Sequence, residues 1–178
     1  MTPLDVTDFW EQAGPGRWFL KDAAFDGALK VRFGDLLAAA REGALDHCDK
    51  TPEGALGLII LLDQISRNIH RGSPLAFAAD AKALRLAKQW ISQGFHQKLP
   101  APRARWLIMP FEHAEDLDAQ HRGVSLFQTM GQQDLAYSAK IHLDIILRFG
   151  RFPHRNPVLG RVSTPEELDF LKSGGFAG

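Results

Sequence analysis

Four times in this chain a serine or threonine stands directly before a proline: Thr2-Pro3, Thr51-Pro52, Ser73-Pro74 and Thr164-Pro165. A hydroxyl just outside a helix accepts from a backbone N–H of the first turn. Proline suits the first helical position, where its missing N–H has no partner to lose. Each pair therefore predicts a helix start, and Thr164-Pro165-Glu166-Glu167 adds the glutamate of a capping box. Strand signals are nearly absent: no run alternates apolar and polar residues rich in Val, Thr and Tyr, and the chain holds one tyrosine.

Apolar spacing fills in the helices between these starts. A first helix carries Leu4, Phe9 and Trp10 and stops at Gly14-Pro15-Gly16. A second, over residues 22–42, lines up Phe25, Leu29, Phe33, Leu36 and Leu37. A third, residues 51–67, is apolar almost all round and so belongs at the centre. A fourth runs from Ser73-Pro74 to Gly94. Pro100 and Pro102 mark the next boundary, before a short helix over 103–109 that Pro110 is expected to break. Helices over 113–130, with Gly131 as the stop, and over 135–149 precede the last, which starts at Thr164. About eight helices on short turns predict an all-α fold, a helix-pair bundle or a curved solenoid, with residues 1–178 as one domain. Trp10, Trp18, Trp90 and Trp106 are expected in the core.

Twenty-one basic and twenty-one acidic side chains cancel, so no global field draws the chain to nucleic acid or to an anionic membrane. The longest apolar run, residues 55–62, is far shorter than the roughly 20 residues of a membrane-spanning helix. The first twelve residues contain Asp5, Asp8 and Glu11 and lack the pattern of a signal peptide, so the expected location is the cytoplasm. The one cysteine, Cys48, is expected to pack as a small apolar residue.

The polar residues gather in three segments. The first, residues 63–72, ends an otherwise apolar helix with Asp63, Arg67, Asn68, His70 and Arg71; Asp63 and Arg67, four apart, share a face and can pair. The second, residues 110–120, has four acids among the seven residues from Glu112 to Asp118. Helical phasing puts His113 and Gln120 inward with Leu117, Val124 and Phe127, and Glu112 and Asp116 on a neighbouring ridge. The third holds His142 and then the basic run Arg148, Arg151, His154, Arg155 and Asn156, with no acid between Asp144 and Glu166. His142 faces inward, whereas Lys140, Asp144 and Arg148 are expected to pair on the surface. Arginine forks match carboxylates two bonds at a time, so the acidic and basic segments are natural partners and are expected to meet at one site.

These motifs carry a resemblance. Phe9-Trp10, Trp18-Phe19, Leu61-Leu62-Asp63-Gln64 with Arg67-Asn68, residues 110–116, and residues 148–156 with Leu159-Gly160-Arg161 together resemble the bacterial domain of unknown function 924 family over nearly the whole chain. The resemblance implies a tetratricopeptide-like, right-handed helical superhelix and no established activity. Relatives often carry Phe-Pro where this chain has Ile65-Ser66, which implies a different turn before Arg67.

Three readings follow. In the first, the segments form a cleft for an anionic small molecule or an acidic peptide end. Arg67, Arg71, Arg151 and Arg155 hold the anion, Asn68, Gln120, His154 and Asn156 add polar contacts, and Asp63, Glu112 and Asp116 position the arginines. In the second, the chain is a hydrolase using His113 and His142 with Glu112 or Asp116 as acid/base groups or metal ligands. No established metal-binding motif is present, no metal ligand set is assigned and no cofactor is identified. In the third, the charged network only stabilises the fold. Whether the chain is an enzyme stays open among them.

Overall fold

In the computed structural model, which describes residues 1–176, every regular element is helical. The chain divides into two compact units, Met1–Arg71 with Leu75–Pro110, and Gly72–Pro74 with the residues from Phe111 onward.

The first unit opens with α1 (Pro3–Ala13), capped by Thr2 and Asp5 as a capping box, then the single turn α2 (Pro15–Trp18) and the long α3 (Ala23–Arg41), whose N-cap Asp22 accepts from Ala24 and Phe25 N–H groups. Thr51 caps α4 (Pro52–Ile59) as its sequence predicts, accepting from Gly54 N–H at 3.2 Å. That helix continues without a break through a π-helical stretch, Ile60–Ile65, into α5 (Ser66–Ile69). It is the central helix: every residue from Gly54 to Ser66 is buried. Glycine at position 57 is what lets α1 approach, because a Cβ there would lie 1.9 Å from the Pro3 carbonyl oxygen. Trp18 and Trp106 meet edge to face with ring centroids 4.8 Å apart, and Trp18 donates to the Trp10 carbonyl at 2.6 Å. All four tryptophans are buried.

The predicted fourth helix starts later than Ser73-Pro74 suggests. Pro74–Ala76 forms a 3-10 turn and α6 is Asp80–Ser92. The carbonyls that would begin the helix are taken by side chains: Ser66 Oγ reaches those of Leu75 and Ala76, and Arg41 donates to that of Leu75. Ser66 stands where the family resemblance expects a proline, and its hydroxyl also accepts from Arg41 at 2.8 Å, within an unbroken helix.

Pro110 does not break its helix. α7 runs Ala101–Glu112 with Pro110 inside, two residues from its end, where the absent N–H removes one bond of the last turn. The next helix, α8 (Leu117–Thr129), begins four residues later than predicted, with Asp116 as its N-cap accepting from Ala119 N–H at 2.7 Å. Glu112 and Asp116 thus lie on opposite sides of a turn and share no ridge. His113 precedes the helix, and Leu117, expected inward, is 42% exposed. Gln120 and Phe127 are buried as their phasing predicts.

In the second unit α8 packs along α9 (Gln133–Phe149), turned back at Gly131, whose φ of 69° favours glycine. Ile145, Ile146 and Phe152 form the apolar core of this unit, covered by Phe149, Phe170 and Phe176. A 3-10 turn, Pro153–Arg155, leads to α10 (Pro165–Lys172), opened by the predicted capping box of Thr164 and Glu167.

Candidate functional site

Segment one folds into a charge-matched cluster of the first unit. Arg67 grips Asp80 with two bonds of 3.1 and 3.0 Å and lies 3.3 Å from Asp63, the partner its four-residue spacing predicts. Arg71 holds Asp26 through 2.8 and 3.1 Å bonds, and Asn68 donates to the same carboxylate at 2.9 Å. Asp63 is 1% exposed and also accepts from Gln64 at 2.6 Å. Beside this cluster, Arg41 donates to His70 Nε2 at 3.0 Å, which requires that nitrogen to be unprotonated. Burial, Arg41 and Lys30 all push the His70 pKa down.

Segments two and three come together in the second unit. Gln120 and His142 each lie eleven residues from Gly131, so the antiparallel α8–α9 hairpin brings them level. Glu112, at the end of α7, meets both. Its Oε1 accepts from Ser138 at 2.8 Å and lies 3.0 Å from His142 Nδ1, and its backbone carbonyl accepts from Gln120 Nε2 at 2.6 Å. Gln120 Nε2 also donates to the Ala114 carbonyl at 2.7 Å, closing two carbonyls that the helix end leaves open.

His142 Nδ1 lies 2.9 Å from the Ser138 carbonyl and 3.0 Å from the carboxylate; both are acceptors, so this nitrogen carries a proton and a neutral ring keeps its lone pair on Nε2. The imidazole packs edge to face on Phe176 at 4.5 Å and Phe152 at 5.6 Å, and the His113 ring centroid is 6.4 Å away. Burial alone would raise the Glu112 pKa; the hydrogen bond and charge of His142, with His113 and Ser138 behind them, outweigh it and hold the carboxyl below its usual range. Glu112 and Gln120 are 2% and 1% exposed, yet Glu112 Oε2 and Gln120 Oε1 have no hydrogen-bond partner among the described residues.

Two further carboxylates complete the unit. Glu115 takes both arms of Arg161 at 2.6 and 2.9 Å and the Phe152 N–H at 2.7 Å. Burial raises its pKa, Arg161 and that N–H lower it, and the lowering prevails. Glu167 accepts from Arg151 at 2.7 and 2.9 Å, from Asn156 at 3.2 Å and from Thr164 N–H at 2.8 Å. The Arg151 hydrogen bond leads in drawing its pKa down to about 2, against the opposing effect of burial. Arg155 donates to the His113 carbonyl at 3.0 Å and lies over the Phe152 ring, while His154 sits between the Phe152 and Phe176 rings. Arg148 pairs with Glu166, while Lys140 and Asp144 form the surface pair the sequence predicts.

Sequence reasoning did not single out Glu115, Glu167 or Ser138 as site residues. Ser138 shares the inward stripe of His142 and could have been found there; Glu115 and Glu167 bind arginines 46 and 16 residues away, for which no local pattern exists. Among the described residues, no three His, Cys, Asp or Glu side chains are placed to hold a metal ion, and no helix is long and apolar enough to cross a membrane.

The comparisons agree with the motif resemblance. A solved structure of a protein of unknown function from Agrobacterium tumefaciens is 42% identical, with 97% of each chain covered and a TM-score of 0.91. No curated protein matches the sequence. A family model matches residues 6–175, and by it the chain belongs to the bacterial proteins of unknown function designated DUF924.

Proposed function

We propose that the protein is a binding module for a small molecule, seated in the second unit against Glu112, Gln120 and His142. One observation carries this reading: two side-chain acceptors, Glu112 Oε2 and Gln120 Oε1, are buried in one polar centre with no donor to meet them. A buried acceptor stripped of water and left unpaired costs about 1–3 kcal/mol, more when it is charged. Such a cost is retained where a ligand offsets it.

Three of the four arginines expected to hold an anion already face carboxylates. Arg67, Arg71 and Arg151 are gripped by Asp80, Asp26 and Glu167, and an anion there must displace a carboxylate. The ionised Glu112 repels an anion from its own centre, so the geometry favours a ligand that supplies hydrogen-bond donors.

The test uses side-chain resonances of the wild-type protein. Methylammonium, acetamide and acetate are titrated in turn. Saturable movement of the Glu112 carboxyl, Gln120 amide or His142 ring signals by any of the three supports a ligand site. A titration in which none moves them overturns it.

A second reading rests on the imidazole. A carboxylate at Nδ1 fixes the tautomer that leaves Nε2 as proton acceptor, the arrangement a general base uses. Turnover of a phosphate-ester, carboxylic-ester or peptide substrate, abolished by His142→Ala, would establish it; three blank screens would remove it.

A further inference from the structure

We infer that the group this centre recognises is a protonated amine, an ammonium head bearing N–H donors. The inference rests on the binding reading above and adds the chemical class of the ligand. Glu112 carries a buried negative charge, and its single engaged oxygen already serves both Ser138 and His142. Ser138 and His142 both meet Oε1, so neither offers a donor to Oε2. Gln120 cannot supply a donor to it by turning over. Both N–H bonds of its amide are fixed on the Glu112 and Ala114 carbonyls, which forces Oε1 to remain an acceptor.

The centre therefore offers one carboxylate and one amide oxygen with no donor for either. An ammonium group provides three N–H bonds and one positive charge. It needs no more room than a water molecule's share of liquid volume, about 30 Å³, so only the head of a larger amine has to enter. The polar partners also reject alternatives. A quaternary ammonium has the charge and no N–H, and a carboxylate repeats the charge already present. A bare metal ion finds no third ligand of the usual types among the described residues. The head group could belong to a free amino compound, a polyamine or a lysine side chain, which share this chemistry.

The experiment titrates wild-type protein at pH 8, where ordinary imidazoles are neutral, with methylammonium, tetramethylammonium and potassium chlorides at equal ionic strength. The readouts are the Glu112 carboxyl carbon and the Gln120 side-chain amide. Methylammonium is expected to move both signals saturably, with at least about tenfold weaker response to tetramethylammonium, the loss expected when charge-assisted hydrogen bonds are removed. Putrescine, glycinamide and a lysine-containing peptide then distinguish the sources. Glu112→Gln keeps an oxygen for Ser138 and His142 and should abolish the methylammonium response while the remaining amide spectrum stays in place. Equal responses to tetramethylammonium or potassium overturn the inference, as does an unchanged response in Glu112→Gln. If acetate or acetamide moves the signals and methylammonium does not, the site stands and the amine class falls. If no probe moves them, both fall.

Discussion

Glu112 and Glu167 lie in the same unit and are equally buried, each 2% exposed, yet they are held in opposite ways. Glu167 takes Arg151 on both oxygens, with Asn156 and a backbone N–H added, and its partner brings a full counter-charge. Glu112 crowds Ser138 and His142 onto one oxygen and leaves the other empty. The first arrangement is what a fold uses to fasten a helix start to the preceding loop. The second leaves one oxygen of a buried carboxylate without a donor, which is why we propose it for recognition. Burial of a polar group separates neither case; the completeness of its partners does.

The same substitution at both sites tests this contrast most strongly at Glu167. Glu167→Gln removes the charge facing Arg151 and turns an acceptor into a donor pointed at donors, so unfolding in urea should show a loss of about 1.5–3 kcal/mol. A loss below about 1 kcal/mol would mean that the pair is no better than a surface one. Acid should reproduce part of this effect. The folded Glu167 pKa of about 2 lies below the ordinary 4.5, so its contribution is complete above pH 4.5 and is lost as pH falls toward 2. Urea midpoints for the wild type should fall over that window more steeply than those of Glu167→Gln; parallel curves would contradict the assignment. The smallest effect belongs to Glu112→Gln, which keeps an oxygen for the Ser138 and His142 bonds and strips no partner from the second position. Its stability should stay within about 1 kcal/mol of the wild type, and a loss matching that of Glu167→Gln would make Glu112 a structural residue as well.

What could be read from the sequence follows the reach of each interaction. Caps act over three or four residues, so Thr51, Thr164 and the helices they open were legible. The inward phasing of Gln120 and His142 was legible for the same reason. Asp116 is an N-cap by residue type, but the proline at 110 drew the boundary to the wrong side of the turn and concealed it. Long-range pairings had no such signature. Arg71 finds Asp26 across 45 residues and Arg103 finds Glu11 across 92. Opposite charges in segments two and three did announce an encounter, but not which carboxylate would be left half-satisfied. That depends on the level at which the α8–α9 hairpin sets Ser138 and His142 against the end of α7, a matter of tertiary placement.

The π-helical stretch Ile60–Ile65 sets the phase of all that follows it in the central helix. Such a stretch amounts to one residue inserted into an α-helix, and each residue advances the helix by about 100°. Were the same residues wound as a regular α-helix, Arg67 and Arg71 would therefore be turned by about 100° away from Asp80 and Asp26. Regular winding of these residues would be bought with the loss of both arginine clasps, so here an irregular backbone acts as the dial that brings each cation to its acid.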